Sequence, residues 1–236
     1  MDSWYPVGKA LFGSRRFNPP SVPTQSAPAR TGSVAVADGR FTTLADRYQG
    51  KRFNSPNDAV LKSNGDLYFT DPPYGLPRTF EDPGKELEVN GVYRLSPEGE
   101  LTLLLSDIEA PNGIAFSPDE KTLYLSNSAK AQAAWLAYSV RPDGTLGLGR
   151  IFHVAAPWLR TRAGAPHGIK IDEHGNLFGA GPEAIYVFAP DGTHLGSIFT
   201  GVPTGNVAWG DDGSSLYITA GPRLLRLRLT TRGAAF

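Results

Sequence analysis

The sequence predicts an all-β protein built as a β-propeller, and three observations predict it. Turn formers are abundant, with 27 Gly and 20 Pro in 236 residues, while only 19% of residues are charged, a composition that suits many short strands joined by tight turns. One unit recurs four times, at spacings of 55, 55 and 39 residues, and recurrence on this scale points to a propeller or a solenoid. Asn-Gly, Asp-Gly and Glu-Gly pairs stand where hairpins require positive φ, so turn chemistry and strand alternation agree.

Taken in order, residues 1–31 break the pattern, with Pro19-Pro20, Pro23 and Pro28 in a stretch read as poorly ordered or non-native. The propeller domain is placed at 32–236. Gly32 to Leu44 reads as the outer hairpin of a blade whose inner strands are not evident. The first full unit runs from Asn57-Asp58-Ala59-Val60-Leu61 through the Asn64-Gly65 turn to Leu67–Asp71, then Gly91–Leu95 and the Pro97-Glu98-Gly99 hairpin. The second opens at Asn112-Gly113-Ile114 and continues Leu123–Asn127. The third opens at His167-Gly168-Ile169, turns at His174-Gly175-Asn176 and continues Ile185–Phe188. The fourth opens at Asn206-Val207-Ala208, turns at Asp211-Asp212-Gly213 and continues Leu216–Thr219. Four-stranded blades are expected, four and a half in number, and the unequal spacing of the units favours a propeller over a solenoid.

In a propeller the innermost strand of each blade lines a central channel, so equivalent positions at the strand starts form a ring. The expected ring is Asn57, Asn112, His167 and Asn206, polar where strand interiors favour β-branched and aromatic residues. Second strands return toward the same face and place Asp71, Asn127 and Thr219 at the channel mouth. Amide oxygens suit a hard cation, although Ca²⁺ normally also draws carboxylates. An imidazole suits Zn²⁺ or Mn²⁺ and can also act as a base near neutral pH.

Lys plus Arg equal Asp plus Glu at 23 each, so no broad basic field is available for nucleic acid or an acidic membrane surface. No apolar run reaches the roughly 18 residues of a membrane helix. The N-terminus Met1-Asp2-Ser3-Trp4 lacks the basic start and apolar core of a signal peptide, and a soluble, cytoplasmic protein with a small-molecule partner is expected. With no cysteine, disulfides, thiolate metal sites and a cysteine nucleophile are excluded.

The motif Arg52-Phe53-Asn54-Ser55-Pro56-Asn57-Asp58, followed by Thr70-Asp71-Pro72-Pro73-Tyr74-Gly75, resembles the gluconolactonase / senescence-marker-protein / luciferin-regenerating-enzyme family. The likeness continues through Pro111–Asp119 and Gly168–Asp172 and covers about Gly32 to Arg228. It implies a six-bladed propeller with a divalent cation, often calcium, in the channel, polarising a sugar lactone for attack by water. The ligands it implies are a first-blade Glu, Asn57, Asn112 and an Asp that also serves as base. Here His167 stands in place of that Asp, and no counterpart of the Glu is found, although Gly8–Phe12 resembles a residual strand.

The roles that follow are Asn57, Asn112 and His167 as metal ligands, His167 also as catalytic base, and Asn206, Asp71 and Asn127 as substrate contacts. The cation is Ca²⁺ by resemblance, or Zn²⁺ or Mn²⁺ given the imidazole. The alternatives are a non-catalytic propeller that has lost its acidic ligands, and a propeller esterase or phosphoesterase. An incomplete ring also leaves open blade edges through which copies could self-associate.

Overall fold

The computed structural model describes residues 31–35 and 40–234. The strands run β1 (Thr31–Ala35), β2 (Arg40–Ala45), β3 (Arg47–Tyr48), β4 (Lys51–Arg52), β5 (Ala59–Leu61), β6 (Leu67–Asp71), β7 (Gly91–Leu95), β8 (Leu101–Leu105), β9 (Pro111–Phe116) and β10 (Thr122–Asn127). They continue with β11 (Ala134–Val140), β12 (Leu146–Val154), β13 (Ile169–Ile171), β14 (Leu177–Gly181), β15 (Ala184–Phe188), β16 (His194–Phe199), β17 (Thr204–Gly210), β18 (Ser215–Ala220) and β19 (Arg223–Arg228). A short α-helix, α1 (Ala156–Leu159), lies between β12 and β13.

Three antiparallel four-stranded blades follow one another: β5 to β8 (blade I), β9 to β12 (blade II) and β13 to β16 (blade III). Among the described residues the fourth blade has three strands, β17 to β19, without an outer strand after Arg228. The hairpin anticipated from Gly32 to Leu44 is β1 paired with β2. Residues 1–30, including Gly8–Phe12, lie outside the described residues, so the boundary at 31 is an expectation only.

Strand alternation sends neighbouring side chains into different cores, because successive residues face opposite sides of a sheet. Tyr68 and Phe69 are both fully buried. Tyr68 packs with Ile114, Phe116 and Leu125 between blades I and II, whereas Phe69 packs with Phe53, Tyr93 and Leu95 on the other side of blade I. Trp135, Phe152, Ile169 and Phe188 fill the space between blades II and III. Phe178, Ile185, Val207 and Ile218 fill that between III and IV. The far side of blade I is covered by the β3–β4 hairpin, with Tyr48 set edge-on against Tyr93 at 5.2 Å. That hairpin turns through Gln49 and Gly50, at φ 50 and 80, the double positive φ of a tight hairpin turn.

Among the described residues β19 pairs on one side only, with β18. Its exposed edge carries three arginines, two of which pair with acids: Arg226 with Asp211 at 2.7 Å and Arg228 with Asp212 at 3.0 Å. Charge of this kind blunts an edge against pairing with another chain. No helix among the described residues is long and apolar enough to cross a membrane.

Candidate active site in the central channel

Inner strands β5, β9, β13 and β17 carry the channel, and their registers define which positions are equivalent. Ala59 faces Phe69, Ile114 faces Leu125, Ile169 faces Gly179 and Val207 faces Ile218. Two residues before each lie Asn57, Asn112, His167 and Gly205; one residue before lie Asp58, Gly113, Gly168 and Asn206. The expected ring therefore holds for three blades and slips by one in the fourth. Because a one-residue slip sends a side chain to the opposite face, Asn206 shares its place with Asp58 and not with Asn57. It also shares Asp58's hydrogen bond: Asn206 Oδ1 accepts from the Val207 amide at 2.8 Å, as Asp58 Oδ1 accepts from Ala59 at 2.9 Å.

A repeated hydroxyl fixes the ring. Thr70 and Ser126 are fully buried and follow Phe69 and Leu125 in the second strands. Thr70 Oγ1 accepts from the Asp58 amide and donates to the Asn112 carbonyl of the next blade at 2.8 Å. Ser126 Oγ accepts from the Gly113 amide at 2.7 Å and donates to the His167 carbonyl at 2.6 Å. In blade III the same place is Ala180, which has no hydroxyl, and the blades join directly through Gly168 N–H to Gly205 O at 3.2 Å. Gly113 and Gly168 permit this approach: a Cβ on Gly113 would sit 2.3 Å from the His167 carbonyl oxygen.

At the mouth, Asn112, Ser128, His167 and Tyr74 converge. Asn112 Nδ2 donates to Ser128 Oγ and to His167 Nδ1, both at 3.0 Å. Ser128 spends its own proton on the Pro166 carbonyl at 2.5 Å, so its oxygen must accept from Asn112, which sets the amide's orientation. An amide N–H can only donate. His167 Nδ1 is therefore the accepting nitrogen, and its lone pair faces Asn112. The Tyr74 hydroxyl faces Ser128 and Asn112, and burial raises its pKa, which keeps it a hydrogen-bond donor.

Two expected substrate contacts have other work. Asp71 is 0% exposed; Oδ2 accepts from the Asn54 amide at 2.9 Å and Oδ1 from the Ser55 amide at 2.8 Å. Burial still pushes its pKa up to about 7 against those hydrogen bonds. Asn127 is buried, with Oδ1 accepting from the Ala110 and Ala129 amides and Nδ2 donating to the Gln132 carbonyl. Both side chains fasten the backbone behind the ring, and both are buried.

Beneath the ring, burial raises the pKa of Asp58, opposed by the Lys170 ammonium of blade III. Asp58 Oδ2 is sealed from solvent without a hydrogen-bond partner.

The cation that the sequence resemblance implies was tested against these donors. The ring offers two amides and one imidazole, Asn112 turns N–H rather than oxygen toward His167, and no group of three His, Cys, Asp or Glu suited to a metal occurs among the described residues. Calcium takes six to eight oxygen ligands and owes its affinity largely to carboxylates. The described residues do not by themselves fit a calcium ion.

A cluster of amide, imidazole, hydroxyl and phenol gathered at the inner strands of a β-propeller is the class of arrangement the structure defines. Residues 25–221 match the SMP-30/Gluconolactonase/LRE-like region, and the chain belongs to that family. It is 44% identical over 197 residues to the gluconolactonase of Zymomonas mobilis, covering 81% of this chain and 55% of that protein. It is 26% identical to the lactonohydrolase oryL of Aspergillus oryzae, covering 83% of this chain and 49% of that protein. The solved gluconolactonase from Xanthomonas campestris superposes with a TM-score of 0.71 at 38% identity, over 82% of this chain and 63% of that one. The chain thus spans about half the length of the curated relatives it matches.

The structure places Asn57, Asn112 and His167 at equivalent ring positions and joins Asn112 to His167, and sequence reasoning did not single out Tyr74, Ser128 or the hydroxyls of Thr70 and Ser126. The hydroxyls had a signal: each immediately precedes the polar residue that ends its strand, Asp71 or Asn127. Tyr74 stood in the Thr70–Gly75 motif without being assigned a role, and Ser128 had no signal, since its connection follows a path set by tertiary packing.

Proposed function

We propose that the channel mouth hydrolyses sugar lactones. The observation that carries this reading is the Asn112–His167 pair, which sets an unprotonated imidazole nitrogen beside an amide at the entrance of a gluconolactonase-family propeller. Asn57 and Asn112 orient the lactone through their amides. An entering water displaces the Asn112 N–H from His167 Nδ1 and presents its own O–H to that lone pair, so His167 acts as general base. Water oxygen bonds to the carbonyl carbon, the ring C–O bond breaks, and the proton held by His167 passes to the departing alkoxide. The product is the open-chain hydroxy acid. Asn206, exposed and with its amide against Gly168 of blade III, is proposed to meet the sugar's outer hydroxyls. No step is assigned to a cation, because the described donors do not form a calcium site.

The test is hydrolysis of glucono-δ-lactone followed by acid release, with His167→Ala as the variant. Loss of a positioned base lowers kcat by about 100-fold or more. An unchanged kcat removes His167 from the chemistry. A second reading, a binding propeller without catalysis, is favoured by the lack of a carboxylate at ring level among the described residues. It predicts sugar-acid binding with no turnover.

A further inference from the structure

Tyr74 is held in place with unusual care for a residue on a connecting loop. It lies at the start of the connection between β6 and β7, and the residues bracketing it are tied to one side chain. Ser55 Oγ donates to the Pro72 carbonyl at 2.6 Å and accepts from the Gly75 amide at 2.8 Å. Ser55 is 1% exposed, and its own amide is fixed by Asp71. A further turn, Leu76 N–H to Pro73 O at 3.0 Å, closes the loop behind Tyr74. The ring of Phe80 stands edge-on to Tyr74 at 6.0 Å and 83°.

This clamp directs a half-buried phenol at Ser128 and Asn112. Those two groups already satisfy each other and their neighbours: Asn112 Nδ2 has both hydrogens engaged, and the Ser128 proton goes to Pro166. The Tyr74 hydroxyl is itself hydrogen-bonded to Ser128 and Asn112, but both keep these other partners, so it can turn to an incoming ligand without leaving either unpaired, and removing the last partner of a buried group is what costs. A loop anchored through Ser55 and Asp71, two residues and one strand away from Asn57, also keeps the phenol in register with the ring.

We infer that Tyr74 is a specificity-determining residue of the channel mouth, whose hydroxyl binds a hydroxyl group of a polyhydroxylated lactone or sugar acid while Ser55 holds it in position. This rests on the lactone reading of the same site. The phenol recognises the ligand's hydroxyl and takes no part in bond breaking. It therefore separates hydroxylated ligands from plain ones of the same ring size. Within a polar site, loss of one hydrogen-bonding partner is felt only by the ligand that used it.

The experiment compares the intact chain with Tyr74→Phe and Ser55→Ala on glucono-δ-lactone and on unsubstituted δ-valerolactone, with gluconate and valerate binding measured by calorimetry. Phenylalanine keeps the ring and its contact with Phe80, so thermal melting of Tyr74→Phe is expected to match the parent. The expected result is a rise of about fivefold to tenfold in KM for gluconolactone and in Kd for gluconate, the worth of one hydrogen bond. Its kcat and both valerolactone parameters stay unchanged. Ser55→Ala should move the gluconate affinity the same way. If Tyr74→Phe leaves gluconate binding and the gluconolactone KM intact in a chain that hydrolyses the lactone, the role of Tyr74 is wrong and the lactone reading stands. A parent chain that binds gluconate, loses that binding in Tyr74→Phe and turns over neither lactone supports Tyr74 and overturns the hydrolase. A parent that binds neither acid and hydrolyses neither lactone overturns both.

Discussion

Gly113→Ala tests whether the spacing between inner strands is what places His167. The added Cβ would lie 2.3 Å from the His167 carbonyl oxygen, 2.7 Å from Gly168 Cα and 2.8 Å from the Ile169 nitrogen. All three are backbone atoms of β13 or its approach, so no side chain can swing aside, and β9 and β13 must part. Parting them strains the Ser126 bridge, which accepts from the Gly113 amide and donates to the His167 carbonyl inside a fully buried environment. Overpacking of a dense core costs about 1–3 kcal/mol and a weakened buried hydrogen bond adds about 1 kcal/mol, so a loss of about 3 kcal/mol is expected. For a chain of this size that lowers the melting temperature by about 6–12 °C. Thermal unfolding followed by circular dichroism measures it, with Gly196→Ala as control. Gly196 lies in β16 with open space around an added Cβ, and its substitution should stay within about 0.5 kcal/mol of the parent. Equal melting of Gly113→Ala and the parent would refute the claim that contact between the inner strands sets the ring.

Two further outcomes follow from the electrostatics. Burial raises the Asp71 carboxyl from an ordinary 3.8 to about 7, so the folded state binds its proton more tightly than the unfolded chain does. Its contribution to stability is full below about pH 4 and is lost as pH rises through 7, a change of roughly 4 kcal/mol; urea unfolding across this range should show the decline, and Asp71→Asn should flatten it. A parent and variant with parallel pH profiles would remove Asp71 as the cause. His167→Asp adds an anionic oxygen at ring level where the parent has an imidazole, and it should raise Ca²⁺ affinity by at least about tenfold in a calorimetric titration. Tight calcium binding by the parent, unchanged in the variant, would contradict the reading that its donors do not fit this ion.

How much of this arrangement could be read from the chain alone depends on whether a local rule or a neighbouring blade decided it. Strands and hairpins were legible because Tyr68 and Phe69, or Asn64-Gly65, obey period-2 alternation and turn chemistry that act within a few residues. Asn57, Asn112 and His167 were legible because repetition carries a local feature around the ring. Asn206 was misplaced by one residue because repeat alignment follows residue type, and the asparagine in blade IV occupies the place of Asp58, one step further along the strand. Only the pairing of Val207 with Ile218 and of Asn206 with Thr219 reveals the slip. Asp71 and Asn127 were misread for the opposite reason. Their positions were right, but a carboxylate and an amide at a strand end can either face a ligand or fasten a backbone, and the choice is made by amides that arrive from elsewhere: Asn54 and Ser55 for Asp71, Ala110 and Ala129 for Asn127. Tyr74 and Ser128 meet only because blades I and II are packed side by side. The chemistry of this site is thus set by contacts between blades, and the substitutions that probe it best are those, such as Gly113→Ala and Ser55→Ala, that alter how one blade presents a side chain to the next.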